Sequence, residues 1–188
     1  MFMHYGPIAA LSVGLCVASL SVFSQRKGAL LSWRRLLRLR LPVYGHRNWI
    51  VIADSAYPAQ SRAGIETIVT DGDQLVVVRE VLSQLSKYQH VRPTVYLDAE
   101  LSYVAENYAP GIGAYRDWLK KLLGELDVHS APHEQIIDKL DEAGEKFNVL
   151  ILKTNLTLPY TSVFLKLDCG YWSSEAEQRL RETMKSIN

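Results

Sequence analysis

The sequence predicts an α/β fold, a single domain with a largely parallel sheet flanked by helices. Short apolar segments alternate along most of the chain with segments in which apolar residues recur every three or four positions. This alternation of strand and helix is typical of sheets whose parallel strands are joined by helices. One segment, Trp49–Ala53, contains only apolar residues, three of them β-branched, so we expect a central strand that is buried on both faces.

The composition is that of a globular protein. Of the 188 residues, 48% are hydrophobic and 22% are charged, which excludes a disordered chain and a coiled coil. The formal net charge of +1 gives no electrostatic support for nucleic acid as a partner, because that binding requires many Lys and Arg residues to neutralise phosphates. The two cysteines, Cys16 and Cys169, fit no metal-ligand spacing, and we expect no disulfide between them.

The N-terminal segment differs from the rest of the chain. Residues 8–23 form a run of sixteen mostly apolar residues, followed by Arg26 and Lys27. The run is short for a membrane-spanning helix, and it lacks the preceding positive charges of a secretory signal. Three interpretations remain open: an uncleaved anchor, an atypical signal peptide, and an extension translated from an upstream start codon. We therefore assign residues 1–27 to an extension and residues 28–188 to the domain, and we expect a cytoplasmic protein unless the extension anchors or exports it.

In the first half of the domain, prolines and capping residues delimit the elements. Arginines and leucines interleave at near-helical spacing within residues 30–41, and Pro42 ends this predicted helix. Its basic face is expected to be solvated, with contact to a membrane surface or an acidic partner as the alternative. Residues 64–69 alternate in polarity and predict a second strand. The segment Asp71-Gly72-Asp73 marks a turn and the start of a helix over residues 74–88.

The second half of the domain continues the alternation. Pro93 precedes the third strand, Pro132 lies at a helix start, and Ser174 is expected to cap the last helix. The predicted strands cover residues 94–97, 148–152 and 162–167, and the predicted helices cover residues 99–108, 115–126, 133–146 and 173–187.

Candidate functional residues flank the first strand and open the last one. Asp54 directly follows the buried strand, and small ligands bind at the carboxyl ends of strands in open α/β sheets. His46 precedes the same strand. Near the end of the chain, Tyr160 and Ser162 are two residues apart and would present two hydroxyl groups on one face of a strand. The alternative is purely structural, with His46 and Asp54 in capping loops and Tyr160 as a packing residue.

A second histidine, His133, lies beside Glu134 at a predicted helix start, where it could also serve only as a cap. The acidic side chains farther along that helix are assigned to a solvated face rather than to a metal site, because no histidine or cysteine joins them at ligand spacing.

In their order and separation, these residues resemble the pattern of the D-ribose pyranase and L-fucose mutarotase family. The resemblance covers residues 30–170 and is specific in two segments, 45–54 and 154–162. The residues that match the family's motifs are Gly45, His46, Asp54, His133, Glu134, Thr154, Pro159 and Tyr160. The chain departs from the family pattern at Asn155, where a glycine is expected, and at Ser162, where an asparagine is expected.

The resemblance implies an isomerase that interconverts the ring forms and anomers of a free, ribose- or fucose-like monosaccharide without a cofactor. Opening a cyclic hemiacetal requires a base for the anomeric hydroxyl and an acid for the ring oxygen, and histidine serves both roles near neutral pH. We expect His46 to be the principal acid–base residue and His133 to be a second proton-transfer or sugar-binding group. Asp54 is expected to orient a histidine or to bind sugar hydroxyls, which Tyr160 and Ser162 would also bind.

The spacing of the candidates has a consequence for assembly. His46 and Asp54 are eight residues apart, so a straight strand between them would separate their backbones by about 26 Å, at about 3.3 Å per residue. We therefore predict sites shared between subunits, in agreement with the ring-shaped homo-oligomers that the resemblance implies. The main alternative is a non-catalytic sugar-binding ring protein, which the departures at Asn155 and Ser162 favour. A nucleotide-binding α/β protein is a third alternative, but no glycine-rich phosphate loop follows the first strand.

Overall fold

The chain forms a six-stranded sheet with helices against both faces in the computed structural model, which describes residues 32–187. The predicted extension over residues 1–27 lies outside the described residues. The helices are α1 (Trp33–Arg40), α2 (Gln74–Leu85), α3 (Ile112–Leu123), α4 (His133–Lys146) and α5 (Ser174–Ile187). The strands are β1 (Trp49–Ala53), β2 (Ile65–Val69), β3 (Val91–Asp98), β4 (Val128–Ala131), β5 (Val149–Lys153) and β6 (Val163–Cys169).

The sheet has the strand order β2-β5-β1-β6-β3-β4. Strand β6 runs antiparallel to both of its neighbours, β1 and β3, whereas the other three neighbouring pairs are parallel. The prediction of an α/β fold with a largely parallel sheet is therefore confirmed. Because β6 runs in the opposite direction, its first residue lies at the same edge of the sheet as the last residues of the other strands.

The core consists of two apolar layers, one on each face of the sheet. Helices α1, α2 and α3 cover the face to which Ile50 and Ile52 of β1 point. Helix α4 covers the opposite face, where Ile136 packs with Val51 and Phe164. All five residues of β1 are buried, as predicted, because this central strand has a helical layer on each side.

The helix predicted over residues 99–108 is wrong. Only a 3₁₀ turn, Ala99–Ser102, forms at its start. The Glu106 carboxylate accepts the backbone N–H groups of Gly111 (2.5 Å) and Gly113 (2.9 Å) at the start of α3. Glu106 thus caps the following helix instead of extending a helix of its own, and α3 begins at residue 112 rather than at 115.

Three smaller differences concern exposed or terminal positions. The edge strand β4 was not predicted, because its four residues are mostly exposed and contain no apolar run. Strand β3 passes through Pro93 and continues to Asp98, beyond the predicted end at residue 97. Helix α5 is capped by Ser173, whose Oγ accepts the Ala176 N–H (3.1 Å), and not by Ser174.

Candidate functional site

Polar side chains from several elements meet at the carboxyl edge of the sheet. Asp54 follows β1 and Asp98 ends β3, while Ser162 directly precedes β6, the antiparallel strand between them. His133 begins α4 immediately after β4, and Tyr160 lies in the turn before Ser162. We call these five residues, Asp54, Asp98, His133, Tyr160 and Ser162, the carboxyl-end cluster. Since only one strand separates β1 from β3, the backbones at Asp54 and Asp98 are about 10 Å apart, at about 4.8 Å per strand.

The Asp54 carboxylate accepts hydrogen bonds from Ser162 and from the loop after β1. Ser162 Oγ donates to Asp54 Oδ2 (3.0 Å) and accepts the Asp54 backbone N–H (3.3 Å). The second carboxylate oxygen accepts the Ala56 N–H (2.9 Å), a turn that fixes the loop after β1. Ser162 is 1% exposed, whereas Asp54 is partly exposed. The serine therefore orients a carboxylate that remains open to a ligand.

Asp98 and His133 form a pair that is largely shielded from solvent. His133 Nδ1 lies 3.1 Å from Asp98 Oδ1, and the Asp98 side chain is fully buried. Burial raises the pKa of Asp98 to about 6, and the neighbouring His133 offsets this effect only in part. Apart from this ion pair, neither carboxylate oxygen of Asp98 has a hydrogen-bond partner among residues 32–187. A buried carboxyl group beside a histidine is thus the most strongly perturbed acid at this edge.

Backbone contacts position the His133 ring. Both carboxylate oxygens of Glu100 lie 3.1 Å from the His133 backbone N and accept its N–H at the first turn of α4. The ring of Tyr160 meets the His133 ring edge-on, with 5.8 Å between the centroids. With Nδ1 facing Asp98, Nε2 is the nitrogen left to face a ligand.

Tyr160 has an unusual backbone conformation. Its φ of 56° lies in the left-handed region, which non-glycine residues rarely adopt. The next residue, Thr161, is fully buried, and its carbonyl accepts hydrogen bonds from Tyr115 Oη (2.7 Å) and from the Gln74 side-chain amide. The Thr161 hydroxyl donates to the Leu158 carbonyl (2.8 Å). This set of bonds, which we call the Thr161 clamp, holds the turn that presents Tyr160.

The same glutamine connects the clamp to the end of β5. Thr154 Oγ1 lies 3.0 Å from Gln74 Oε1 and 2.9 Å from the Ala53 carbonyl. Thr154 and Gln74 are both buried. Two neighbouring turns of the carboxyl edge are therefore linked through one buried amide.

His46 is not part of this cluster within one protomer. It lies before β1, where its Nδ1 is 3.5 Å from Asp168 Oδ1 near the far end of β6. Lys166 Nζ is 3.2 Å from the same oxygen. The imidazole is about half exposed. The structure thus brings together four of the five predicted site residues. It places His46 at the opposite ends of the strands, away from the carboxyl-end cluster.

A large open cleft adjoins His46. It has a volume of about 820 Å³ and lies on the part of the sheet beside α5. Tyr96 forms part of its floor and stacks with His129, with 5.3 Å between the ring centroids. We call this region the sheet-face cleft; its lining includes His46, Tyr96, His129, Lys166, Asp168 and Trp172.

Sequence reasoning missed Asp98, Gln74 and Tyr115. Asp98 directly follows the predicted strand over residues 94–97, as Asp54 follows β1, so the rule that pointed to Asp54 also applies to Asp98. Gln74 and Tyr115 gave no signal, because both lie in helical patterns in which a single polar residue has no local meaning.

Within residues 32–187, no group of three or more His, Cys, Asp or Glu side chains is arranged to hold a metal ion. In the same part of the chain, no helix combines the length and apolar character needed to cross a bilayer.

Comparisons with known proteins place the fold. No family model and no curated protein sequence matches the chain. Among solved structures, RbsD from Bacillus subtilis, complexed with D-ribose, matches with a TM-score of 0.52 and 18% identity over 71% of this chain and 91% of RbsD.

Two further structures match with lower TM-scores. The fucose mutarotase from Streptococcus pneumoniae, in complex with L-fucose, has a TM-score of 0.47 and 22% identity over 69% of this chain and 89% of its own. FucU from Bifidobacterium longum has a TM-score of 0.48 and 18% identity over 71% and 92% of the two chains. The match to RbsD carries the conclusion that this chain has the RbsD fold, as its resemblance to the D-ribose pyranase and L-fucose mutarotase family implies.

Proposed function

We propose that the protein interconverts anomers or ring forms of a free, ribose- or fucose-like monosaccharide by general acid–base catalysis, without a cofactor. The observation that supports this most directly is the Asp98–His133 pair beside an oriented carboxylate, Asp54, at the ligand-binding edge of an α/β sheet. The fold is that of RbsD, a protein whose structure contains D-ribose.

His133 carries the proton transfer that the geometry of one protomer supports. In ring opening, a base takes the proton of the anomeric hydroxyl while an acid protonates the ring oxygen, so that the bond between that oxygen and the anomeric carbon breaks and a carbonyl forms. In ring closure these transfers are reversed. An imidazole that exchanges one proton near neutral pH serves either step, and such help accelerates reactions by about 10²- to 10⁴-fold.

Asp98 acts as a positioning residue for His133. Its carboxylate faces Nδ1 and fixes the ring so that Nε2 is directed to the sugar. When ionised, the same carboxylate stabilises the protonated imidazole, which must form transiently during each transfer.

Asp54 and Tyr160 are placed to bind sugar hydroxyls. Asp54 retains acceptor capacity after its bonds to Ser162 and Ala56, because a carboxylate has about four lone-pair sites. Tyr160 is 41% exposed, so its hydroxyl is accessible to a ligand at the cluster. Ser162, which is buried and bonded to Asp54, contributes by orienting that carboxylate rather than by direct contact.

His46 takes part only if a neighbouring subunit supplies it. His46 and Asp54 lie at opposite ends of β1, so a site that contains both of them requires two protomers. We therefore propose a homo-oligomer, ring-shaped as the resemblance implies, in which the His46 of one subunit approaches the carboxyl-end cluster of the next.

The second candidate is a sugar-binding ring protein without catalysis. The burial of Ser162 favours this candidate. The family that the chain resembles has an asparagine at this position, whereas the Ser162 hydroxyl is buried against Asp54 and cannot contact a sugar. The protein would bind the sugar at the carboxyl-end cluster but hold it less completely during ring opening.

Saturation-transfer NMR on ribose, fucose and galactose separates the two candidates. Irradiating one anomer transfers saturation to the other only while they exchange, so a catalyst raises the exchange rate above that in buffer. We expect this increase for at least one sugar. Binding without faster exchange would support the second candidate, and the absence of both binding and exchange for every sugar would contradict both.

A further inference from the structure

The formal net charge near zero conceals a strong separation of charge along the chain. Residues 1–53 contain seven Lys and Arg residues and no Asp or Glu, which gives a formal charge of +7. Residues 54–188 contain 14 Lys and Arg against 20 Asp and Glu, which gives −6. Such asymmetry between segments indicates a basic interaction surface that the overall charge does not reveal.

Within the described residues, this positive charge is concentrated on one face of α1. Trp33 and Leu37 point into the core, and Arg34, Arg35 and Arg38 are exposed on the outer side of the helix. None of these three arginines has an acidic partner at ion-pair distance among residues 32–187. The preceding part of the chain cannot supply one, because it contains no Asp or Glu.

The arginine face is held rigidly against the domain. Leu37 and Leu41 are fully buried, and the Ser32 side chain caps the start of the helix. At its other end, Arg40 forms a two-pronged ion pair with Glu66 of β2, with N–O distances of 2.9 and 3.2 Å. The helix that carries the three outer arginines is therefore anchored to the domain at both ends.

Exposed apolar side chains accompany these arginines. Leu39 is 52% exposed and Val43 is 75% exposed. In sequence, the apolar run over residues 8–23 and the pair Arg26 and Lys27 precede the helix. Apolar side chains beside arginines suit the boundary between lipid headgroups and acyl chains, whereas a phosphate backbone in water gives no advantage to exposed leucine and valine.

We propose that the outer side of α1 and of the turn after it, formed by Arg34, Arg35, Arg38, Leu39 and Val43, binds an anionic lipid surface. The arginines contact negatively charged headgroups, and Leu39 and Val43 enter the apolar boundary below them. This interaction is independent of the sugar chemistry and would place the domain at a membrane without any described helix spanning it.

Co-sedimentation of the full chain with vesicles tests the proposal. One vesicle population contains phosphatidylcholine alone, and the other contains phosphatidylcholine with phosphatidylserine, each at physiological and at high ionic strength. The quantity compared is the ratio of the two partition constants, because the apolar run over residues 8–23 can contribute to binding of both populations. We expect phosphatidylserine to raise this ratio well above one at physiological salt and high salt to reduce it.

The variant Arg34→Gln/Arg35→Gln/Arg38→Gln should lower the ratio by about a hundredfold, since each basic residue near an anionic surface contributes about fivefold. The matched control, Arg79→Gln/Lys120→Gln/Lys139→Gln, removes the same charge from exposed positions on α2, α3 and α4. It should leave most of the ratio intact. Circular dichroism verifies that both variants are folded.

Three results would overturn the proposal: a wild-type ratio close to one, an equal fall in the matched control, or a ratio that salt does not change. If the triple glutamine variant failed to fold, the single variants Arg34→Gln, Arg35→Gln and Arg38→Gln would be measured instead. Each should lower the ratio by about fivefold, and three single variants with the wild-type ratio would overturn the proposal. Capture of an acidic protein without any response to phosphatidylserine would also count against a lipid partner.

Discussion

Asp98 is the residue on which the local chemistry depends most. Its carboxyl group is buried, lies 3.1 Å from His133 Nδ1, and has a pKa raised by burial to about 6 from an ordinary value of 3.8. With a pKa of about 6, this carboxyl group is ionised at neutral pH, where its negative charge can stabilise a protonated His133 ring. It also makes the stability of the protein depend on pH.

The substitution Asp98→Asn should separate stability from function. Because the folded pKa lies above the unfolded one, the folded state binds this proton more tightly between pH 4 and pH 6. The wild type therefore loses stability as the pH rises through that range, by about 3 kcal/mol for a shift of about two units. The asparagine variant lacks this loss, so it should be more stable than wild type at pH 7 and similar to it at pH 4.

Urea unfolding at both pH values measures the difference. A variant that is less stable than wild type at pH 7 would show that the ionised Asp98 stabilises the fold, contrary to this account. Sugar exchange should decline in the same variant, because the His133 ring loses the group that orients it.

At the scale of elements, a buried hydrogen-bond network fixes the turn between β5 and β6. Gln74, at the first position of α2, bonds both to the Thr161 carbonyl and to Thr154. Tyr160, between them in sequence, has a left-handed backbone that requires such support. The helix start therefore positions the site even though it contributes no side chain to the sugar.

Replacing Gln74 with leucine should destabilise the protein by about 1–3 kcal/mol. The Tyr115 hydroxyl would lose the amide donor, the Thr161 carbonyl would lose one of its two donors, and Thr154 Oγ1 would lose the Gln74 acceptor. Gln84→Leu is the matched control: that glutamine is also poorly exposed, but its partners are Glu80 and Lys87 of the same helical region. Chemical denaturation of the two variants provides the comparison. Equal losses of stability in the two variants would show that the Thr161 clamp stabilises the protein no more than an ordinary helix-surface contact.

The elements show what local sequence can predict. Strand β1 and helix α4 have the predicted bounds, because an unbroken apolar run and a periodic helix with a proline at its start are local signals. Strand β4 is exposed and gains its structure from pairing with β3, which no local pattern encodes. The segment after Ala99–Ser102 fails as a helix because Glu106 bonds to the start of α3.

For the candidate site as well, local patterns predict some of the residues but not those that depend on distant contacts. Asp54, His133 and Tyr160 follow from strand ends and from the family resemblance, and the structure brings them to one edge. Gln74 and Tyr115 were not predictable, because their partners are distant in sequence and only the assembled sheet places them together.

At the scale of the whole molecule, the position of His46 determines what the assembly must do. His46 pairs with Asp168 before the start of β1, and Asp54 bonds Ser162 after its end. The length of β1 separates them, as the count of residues suggested. If both act on one sugar, the functional unit is an oligomer and not a protomer.

Mixed oligomers test this shared site. We expect His46→Ala and Asp54→Asn each to abolish sugar exchange when present alone. In oligomers assembled from both variants, some sites combine an intact His46 from one subunit with an intact Asp54 from another, so part of the exchange should return. No recovery in verified mixed oligomers would contradict sharing, and full activity of a monomer would do so as well.

The most direct test of the central claim, that His133 transfers protons to a bound monosaccharide, is the anomer exchange rate of His133→Gln measured by saturation-transfer NMR. The matched control is His90→Gln, which alters a histidine whose ring contacts the Tyr44 carbonyl and the Tyr88 ring, away from the carboxyl-end cluster. We expect exchange in His133→Gln to fall to the rate in buffer while His90→Gln retains the wild-type rate. A His133→Gln variant that exchanges anomers as fast as wild type would contradict the account.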